Sequence, residues 1–268
     1  MTRQAGHALA AVVAQTAARA GAAALTSAAA GDLQISYKDA RANLVTVADR
    51  RSQDAVTSVI RDSFPGHAIV GEEGSAGHQD ATDVWYVDPL DGTTNFAHGL
   101  PFYCVSVAMR SGGETVAGAV YDVPRDEMFA AANGSGATVN GEPIGVSAIT
   151  RLDRALVVAQ AQSVDPAEIR AYADLVERLM SVAGGVRSLG SPALTLCAIA
   201  AGRLEAYCEH AMDAWDIAAG QLILEEAGGV LTRFDGRPHR TTDRADVVAS
   251  NGAVHSELLA ILKGASIT

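Results

Sequence analysis

The sequence is poor in cysteine, in aromatic side chains and in positive charge. Its three cysteines, Cys104, Cys197 and Cys208, lie in apolar surroundings without metal-site spacing, which predicts buried, reduced thiols of a cytoplasmic protein and not catalytic ones. Because only 5% of the residues are aromatic, the core must consist of Ala, Val, Leu and Ile. The net charge of −11 argues against a binding surface for nucleic acid or for an anionic membrane.

The sequence also lacks a continuous apolar run of the ~18 residues expected of a membrane helix. The Ala-rich segment from His7 to Ala30 comes closest, but Gln15 and Arg19 interrupt it. We therefore expect this segment to be the first helix of the folded protein and not a signal peptide. At 268 residues the chain is long enough for one large domain or for two closely packed halves.

Hydrophobic periodicity changes character near residue 150, without a flexible linker. Residues 1–150 are predicted to form an α+β half and residues 151–268 an α/β half, packed as one compact unit. Helices are predicted at 6–30, 47–63, 166–182, 191–202, 216–227 and 254–263. Strands are predicted at 68–71, 84–88, 104–111, 115–122, 127–132, 136–139, 155–160, 186–189, 205–209, 230–233 and 246–250.

The most informative segment is the run Asp88-Pro89-Leu90-Asp91-Gly92-Thr93-Thr94-Asn95-Phe96. It follows an apolar strand that we expect to end at Asp88, because Pro89 cannot donate to a sheet ladder. Asp88 and Asp91 would then lie at the carboxyl end of a strand, where α/β proteins place ligands. Gly92 lets the backbone approach a bound group. Carboxylates for a cation beside amides for an anion predict a metal–phosphate site, with a simple polar turn as the alternative.

Further acidic residues at the ends of apolar segments favour the metal site. Glu72 and Glu73 follow a short apolar run, and Asp216 opens a predicted helix. Two like charges ~4 Å apart repel by about 4 kcal/mol at an effective dielectric near 20, so clustering these residues with Asp88 and Asp91 requires cations. Ligands that are all oxygen atoms indicate magnesium or manganese and not zinc.

These segments resemble the three signatures of the inositol monophosphatase family, and the likeness extends over nearly the whole chain. The resemblance implies a layered αβαβα sandwich of the α+β class, a magnesium-dependent and lithium-sensitive phosphatase, and a homodimer. The signature segments are Gly71-Glu72-Glu73, Asp88–Phe96 and Trp215-Asp216, and further matches lie at Lys38, Asn43–Thr46, Asp49, Tyr121–Glu127, Asn140–Ile144, Gly190–Pro192 and Tyr207–Glu209.

The resemblance implies a set of metal ligands. Glu72, Asp88 and the backbone carbonyl of Leu90 would hold one metal ion. Asp88, Asp91 and Asp216 would hold a second ion, and Glu72 with waters would supply a weaker third site. Two to three Mg²⁺ ions, with Mn²⁺ as a possible replacement, would then polarise a water and stabilise the departing oxygen of a phosphate monoester.

By the same resemblance, an attacking water would replace a covalent nucleophile. Thr93, hydrogen-bonded to Asp49, would orient this water beside Glu72. The backbone amides of Gly92 and Thr93 would bind the phosphate. Alternatively, Thr93 caps the following helix, a role that can coexist with catalysis.

Three supporting positions stay open at this stage. Lys38 is either a solvated charge or a residue that orients the metal carboxylates. Glu73 either contacts a metal-bound water or only ends a turn. Asn43 stands where many relatives of the resembled family carry Asp, which leaves its place near the metals open.

Substrate recognition is expected mainly in the second half of the chain. A carboxylate at Glu209 can accept hydrogen bonds from the hydroxyls of a phosphorylated polyol. Pro192 stands where Ala is frequent in the resembled family, and Asp213 adds acidity beside Glu209. The substrate contacts implied by the resemblance are Asp91, Gly190, Ser191, Pro192, Glu209 and Asp216.

The favoured substrate is myo-inositol monophosphate, hydrolysed to inositol and phosphate. The departures at Pro192 and Asp213 leave other sugar or polyol phosphates, histidinol phosphate and fructose bisphosphate open. A non-catalytic protein that keeps the fold as an interaction scaffold is the remote alternative. Every matched metal carboxylate is present, which favours the enzyme.

Overall fold

The computed structural model describes residues 3–30, 33, 36–37, 44–77, 80–161, 165–242 and 244–263. The helices in this part of the chain are α1 Arg3–Ala29, α2 Val47–Ser63, α3 Thr93–Ala97, α4 Pro166–Val182, α5 Pro192–Ala200, α6 Ala214–Glu226 and α7 His255–Lys263. The strands are β1 Ser36–Tyr37, β2 Leu44–Val45, β3 Ala68–Gly71, β4 Gly74–Ala76, β5 Asp83–Asp91, β6 Cys104–Ser111, β7 Glu114–Asp122, β8 Glu127–Ala132, β9 Ala137–Val139, β10 Glu142–Pro143, β11 Leu156–Gln160, β12 Gly185–Arg187, β13 Ala206–Met212, β14 Val230–Thr232 and β15 Ala245–Ser250.

Thirteen of these strands form two large sheets, and β1 and β2 pair with each other. The eight-stranded sheet has the order β10-β9-β8-β7-β6-β5-β3-β4 and is antiparallel except for the pair β3–β5. The five-stranded sheet has the order β12-β11-β13-β15-β14, in which β12, β11 and β13 run parallel. The last strand of the first sheet ends at Pro143 and the second sheet begins at Leu156. The division of the chain near residue 150 into two halves stays a prediction.

The elements form five layers that pack around three hydrophobic cores. Helices α1 and α2 cover one face of the eight-stranded sheet. Helices α5 and α6 fill the space between the two sheets, and α4 and α7 cover the outer face of the five-stranded sheet. Because α5 lies between two sheets, all nine of its residues are buried. The predicted αβαβα sandwich is therefore confirmed.

Helix α1 packs through small side chains. Ala10, Ala14, Ala17 and Ala18 are buried against the first core. The segment Gly6–Ala29, although interrupted by Gln15 and Arg19, is long and apolar enough to cross a membrane by length and mean hydropathy. In the structure 44% of its most apolar window is buried inside the protein.

Strand β5 departs from the sequence prediction at its carboxyl end. It was expected to stop at Asp88, but it continues to Asp91 through a β-bulge. A bulged residue need not donate to the ladder, so Pro89 is tolerated inside the strand. Helix α2 supports the bulge, since the buried Ser52 Oγ donates to the Pro89 carbonyl at 2.7 Å. The strand therefore carries both carboxylates of the motif.

Strand β13 contains a second bulge and also runs past its predicted end at residue 209. Its register shifts between Glu209 and Met212, and Ala211 adopts a left-handed backbone with φ of 57°. The Ala211 N–H leaves the ladder and donates to Asp246 Oδ1 at 3.0 Å. This bulge lies directly before helix α6.

Helix α6 is fixed at both of its ends. At its start, Asp216 Oδ2 accepts a hydrogen bond of 2.8 Å from the Asp213 N–H. At its end, the two carboxylate oxygens of Glu226 accept hydrogen bonds of 2.7 Å each from the amides of Gly134 and Gly136. Those glycines form the turn between β8 and β9, so α6 connects this turn to the edge of the sheets where Asp216 lies.

Candidate active site

The bulge in β5 places Asp88 and Asp91 on one face of the sheet. Residues three apart in a regular strand point to opposite faces. Here Asp88 is paired with Ser106 and Asp91 with Cys104, so two residues of β5 lie opposite one residue of β6. The extra residue shifts the alternation by one position. The two carboxylates are therefore neighbours, and their residues are only 2% and 5% exposed.

Four predicted metal ligands come together at this bulge. Burial raises the pKa of Asp88 well above its ordinary value, and the charges of Glu72, Asp91 and Asp216 raise this pKa further. Burial likewise raises the pKa of Asp216, with further contributions from Asp91 and Glu72. The four carboxylates come from the turn after β3, from β5 and from the first turn of α6. Asp88 lies close enough to the other three carboxylates for their charges to raise its pKa.

The hydrogen bonds of this cluster leave acceptor oxygens available. Burial raises the pKa of Asp91 to about 7, although hydrogen bonds from Ser191 and Ala193 lower it. Both of these donors reach Asp91 Oδ2, from Ser191 Oγ at 2.6 Å and from Ala193 N at 2.8 Å. Asp216 likewise receives its bond from Asp213 on Oδ2. The partners therefore fix each carboxylate through one oxygen.

The donor set fits a hard divalent cation. Within the described residues, Asp88, Asp91 and Asp216 form no ion pair with arginine or lysine. No three acidic, histidine or cysteine side chains in these ranges converge tightly enough to enclose an ion. Like charges repel, so carboxylates without a cation between them are expected to stay apart. The all-oxygen chemistry of the donor set suits a hard divalent cation, whereas the spacing within the described ranges does not by itself enclose one.

Thr93 lies between Asp49 and Leu90, as its expected role requires. Its Oγ1 is 3.1 Å from Asp49 Oδ1 and 3.0 Å from the Leu90 carbonyl, and its single proton can serve one of them at a time. Asp49 is buried and accepts bonds of 2.7 and 2.6 Å from the N–H and hydroxyl of Thr46. The predicted pairing of Thr93 with Asp49 is present in the structure.

Gly92, and not Thr93, is the N-cap of α3, so the capping alternative for Thr93 was wrong. Gly92 has a left-handed backbone with φ of 96°, and a Cβ at this position would lie 3.0 Å from the Phe102 carbonyl oxygen. The position therefore requires glycine. The phosphate-binding role expected of the Gly92 and Thr93 amides stays a prediction.

Glu72 and Glu73 lie in the tight turn between β3 and β4. The Glu72 N–H donates to the Val87 carbonyl at 3.2 Å, which ties the turn to β5. Burial raises the pKa of Asp49, and the Glu73 carboxylate raises it further, so Glu73 faces the same site. Gln53 of α2 donates to the Gly74 carbonyl at 3.3 Å and supports the turn from behind.

Two of the sequence-predicted positions cannot be placed, and two functional ones were missed. Lys38 and Asn43 lie outside the described residues. Ser52 and Gln53 were missed, although they lie three and four residues after Asp49, which places all three polar residues on the buried face of α2. That spacing was a signal that could have revealed them.

The turn Gly190-Ser191-Pro192 is attached to the metal motif. Ser191 and Pro192 are buried, and Ser191 donates to Asp91. Asn95 Nδ2 donates to the carbonyls of Leu189 and Phe102 at 2.8 Å each. Strand β12 ends at Arg187, short of the predicted residue 189. The substrate contacts expected of this turn stay predictions.

Glu209 is buried at 2% exposure and is already hydrogen-bonded. Its Oε2 accepts bonds from the Tyr207 hydroxyl and, at 2.5 Å, from Gln160 Nε2. Burial raises the pKa of Glu209 to about 7, and these two bonds lower it. Asp213 lies near Arg244, with 3.7 Å between Asp213 Oδ2 and Arg244 Nε. Because Tyr207 and Gln160 both donate to Oε2, the hydroxyl contact expected of Glu209 has to use its other oxygen, Oε1.

The three cysteines are buried and free, as predicted. Cys104 Sγ lies 3.5 Å from Asp91 Oδ2 and 3.8 Å from Ser191 Oγ. Burial raises the pKa of all three thiols, that of Cys208 to about 12. They are therefore neutral thiols that fill the core near the site.

Comparison with known proteins agrees with this geometry. A profile described as the inositol monophosphatase family matches residues 8–266. The chain is 39% identical over 232 residues to an inositol-1-monophosphatase of Synechocystis sp., covering 84% of this chain and 78% of that protein. It is 38% identical to a protein named Nus factor SuhB of Pasteurella multocida, covering 85% of each.

The fold agrees as well. The structure of an inositol monophosphatase from Anabaena (Nostoc) sp. PCC 7120 matches with a TM-score of 0.85 and 35% identity, covering 96% of each chain. The motif residues, the layered fold and these matches agree over nearly the whole sequence. The chain belongs to the inositol monophosphatase family of phosphatases.

Proposed function

We propose that this protein hydrolyses a phosphate monoester with Mg²⁺, and that its preferred substrate is myo-inositol monophosphate. The observation that carries the proposal is the cluster at the β5 bulge, where the buried Asp88 is affected by the charges of Glu72, Asp91 and Asp216, and Asp216 by those of Asp91 and Glu72. Beside them lies the hydroxyl of Thr93, held between Asp49 and Leu90. The family of metal-dependent phosphatases supports the reaction class.

In the proposed ligand set, Asp88 and Glu72 would each be shared between two ions, whereas Asp91 and Asp216 would each bind one. Glu72, Asp88 and the Leu90 carbonyl would hold one ion, and Asp88, Asp91 and Asp216 would hold a second. Glu72 would also contribute to a weaker third site. When bound, Mg²⁺ offsets the charge of the phosphoryl oxygens and of the departing oxygen, and it lowers the pKa of water.

The chain's own groups orient the reactants. Asp49 accepts a hydrogen bond from the Thr93 hydroxyl, and this bond turns the lone pairs of Thr93 Oγ1 toward an approaching water. The amides of Gly92 and Thr93 hold the phosphate. The water oxygen forms a bond to phosphorus while the bond between phosphorus and the ester oxygen breaks. The water gives up one proton in this step, and the departing ester oxygen takes up one proton to become the alcohol. No side chain becomes covalently attached.

A panel of phosphate monoesters tests this proposal. The purified protein should release phosphate from inositol monophosphate with Mg²⁺, faster than from histidinol phosphate, fructose bisphosphate or an aryl phosphate. Ca²⁺ should not replace Mg²⁺, because it takes more ligands at longer distances than a small octahedral ion. Full turnover after exhaustive chelation would contradict the metal-dependent mechanism. Lithium inhibition is a further expectation that the family likeness supports.

A second candidate function is suggested by the relatives named Nus factor SuhB, whose matches cover 85% and 86% of this chain. A non-catalytic scaffold role requires no phosphate release. The net charge of −11 disfavours direct contact with nucleic acid, so such a role would use a protein partner. Folded, magnesium-binding protein without activity on the whole panel would favour it. The cytoplasmic location and the homodimer belong to the same proposal, and analytical ultracentrifugation tests the dimer.

A further inference from the structure

Gln160 lies where the topology of the second sheet opens a crevice. It is the last residue of β11 and is paired in parallel register with Glu209 on β13. The chain leaves β11 through α4 toward β12, at one edge, and leaves β13 through α6 toward β14, at the other. Connections that leave neighbouring parallel strands in opposite directions create a ligand-binding crevice at their carboxyl ends. Gln160 and Glu209 therefore occupy this crevice together.

The amide of Gln160 connects two elements that the sequence assigned to substrate binding. Gln160 is 4% exposed. Its Nε2 donates to Glu209 Oε2 at 2.5 Å, and its Oε1 accepts the Gly190 N–H at 2.9 Å. A buried amide that uses both its donor and its acceptor has one defined orientation. Gln160 thus determines the distance between Glu209 and the Gly190 turn.

The same bonds select one oxygen of Glu209. The Tyr207 hydroxyl and Gln160 Nε2 both reach Oε2. In the described part of the chain no donor reaches Oε1. Rotation of the carboxylate would break two hydrogen bonds in a buried site, which is costly. Oε1 is therefore the atom that remains to accept a hydroxyl of a ligand.

We propose that Gln160 is a positioning residue for substrate specificity. It holds Glu209 so that Oε1 meets a hydroxyl on the alcohol part of a phosphorylated polyol, and it sets the Gly190 turn beside that hydroxyl. This inference rests on the proposed phosphatase function. It assigns to Gln160 a contribution to the choice of alcohol that is separate from the bond-breaking step at the carboxylate cluster.

A structural role is the competing explanation. Gly190 precedes Ser191, whose hydroxyl donates to Asp91, so loss of Gln160 can also disturb a metal ligand. That disturbance would weaken turnover of every phosphate monoester equally. Loss of positioning at Glu209 would instead affect only substrates with hydroxyls on the alcohol side.

The test compares Gln160→Met, which keeps length without hydrogen bonds, with Tyr207→Phe, which removes a bond to Glu209 but not the bond to Gly190. For Gln160→Met we expect kcat/KM on inositol monophosphate to fall about tenfold, mainly through KM, and to change less than about threefold on an aryl phosphate. Amide hydrogen exchange at Gly190 should rise in Gln160→Met and stay unchanged in Tyr207→Phe. In a Glu209→Gln background, Gln160→Met should add less than about threefold.

Equal losses on both substrates, or additive effects of Gln160→Met and Glu209→Gln, would overturn the positioning role. If Gln160→Met does not fold, Gln160→Asn replaces it, because its shorter side chain cannot span both partners, and the same pattern is expected. Wild-type protein that hydrolyses neither substrate would remove the proposed function and this inference together. Wild-type turnover with equal losses in the variant would remove this inference alone.

Discussion

The buried carboxylates of the site have opposite surroundings at the proposed metal edge, formed by Glu72, Asp88, Asp91 and Asp216, and at the proposed substrate edge, formed by Glu209. At the metal edge, Asp88 is surrounded by other carboxylates, and its hydrogen bond comes from the Leu90 N–H. At the substrate edge, two side-chain donors from the neighbouring strands hold Glu209. In the proposed mechanism the first arrangement takes up positive charge from outside the chain, whereas the hydrogen bonds of the second come from within the protein. On that proposal, the difference would separate the chemistry of the phosphate from the choice of its alcohol.

The largest effect should come from neutralising the metal edge. Asp91→Asn removes a charge needed as the leaving oxygen becomes negative, so turnover should fall at least ~10²-fold. Steady-state phosphate release with saturating Mg²⁺ measures this. The exposed Asp54 on α2 supplies the control, and Asp54→Asn should keep wild-type turnover. Activity of Asp91→Asn close to wild type would remove Asp91 from the proposed site.

The substrate edge should show itself in the pH dependence of stability. The raised pKa of about 7 means that folded Glu209 keeps its proton where the unfolded chain, with a pKa of 4.5, has lost it. The folded state then binds more protons, so stability falls as pH rises from about 4.5 to about 7, by about 3 kcal/mol. Glu209→Gln cannot titrate and should gain stability over wild type in this window.

Chemical unfolding without Mg²⁺ at pH 5 and pH 8 measures this gain. Glu142→Gln, which removes an exposed carboxylate far from the network, is the control variant. A difference between Glu209→Gln and wild type that is the same at both pH values would show that Glu209 is ionised in the folded protein throughout.

The same substitution should divide substrates by class. Above about pH 7, where Glu209 is ionised in the folded protein, Glu209→Gln retains the shape and one acceptor oxygen but loses the charge that strengthens hydrogen bonds from hydroxyls. Such bonds contribute roughly 1.5–3 kcal/mol, so kcat/KM on inositol monophosphate should fall about 10- to 150-fold. An aryl phosphate has no hydroxyl for this carboxylate and should be hydrolysed almost as well as by wild type. Equal losses on both substrates would erase the distinction between the two edges.

Thr93→Ala should have a smaller effect on turnover. Loss of one hydroxyl that orients water should lower kcat about tenfold. Calorimetric Mg²⁺ affinity should stay nearly unchanged, because Asp49 and Leu90 remain in place. The adjacent Thr94 is exposed, and Thr94→Ala is the matched control. Abolished metal binding in Thr93→Ala would show that Thr93 belongs to the metal set and not to the water.

The smallest effect concerns the bulge beside Glu209. Ala211 has a φ of 57°, a conformation that glycine adopts more readily than alanine. Ala211→Gly should therefore raise the free energy of unfolding by roughly 0.5–1 kcal/mol, which thermal and urea unfolding can measure. A stability loss would mean that the methyl group of Ala211 contributes more through contacts than the backbone conformation costs.

Features set by neighbouring residues were predictable from the sequence, and features set by distant partners were not. Helix α4 begins as predicted because Asp165 accepts the Ala167 N–H and Pro166 follows at the first helical position. The predicted end of β5 was wrong, and the bulge there accepts a hydrogen bond from Ser52, 37 residues away, which the sequence of the strand does not report. The motif predicted the proposed metal carboxylates, but the hydrogen bond between Gln160 and Glu209 depends on the register of two strands. No local pattern reports that register.

Helix α6 extends from the carboxylate cluster to the protein surface. Asp216 is ten residues before Glu226, so the two residues lie about 15 Å apart along the helix axis. Glu226 accepts hydrogen bonds from the amides of Gly134 and Gly136, so the outer end of the helix is attached to a surface turn. A solvent-exposed turn and the carboxylate cluster are therefore joined by a single helix, although they lie about 15 Å apart along its axis.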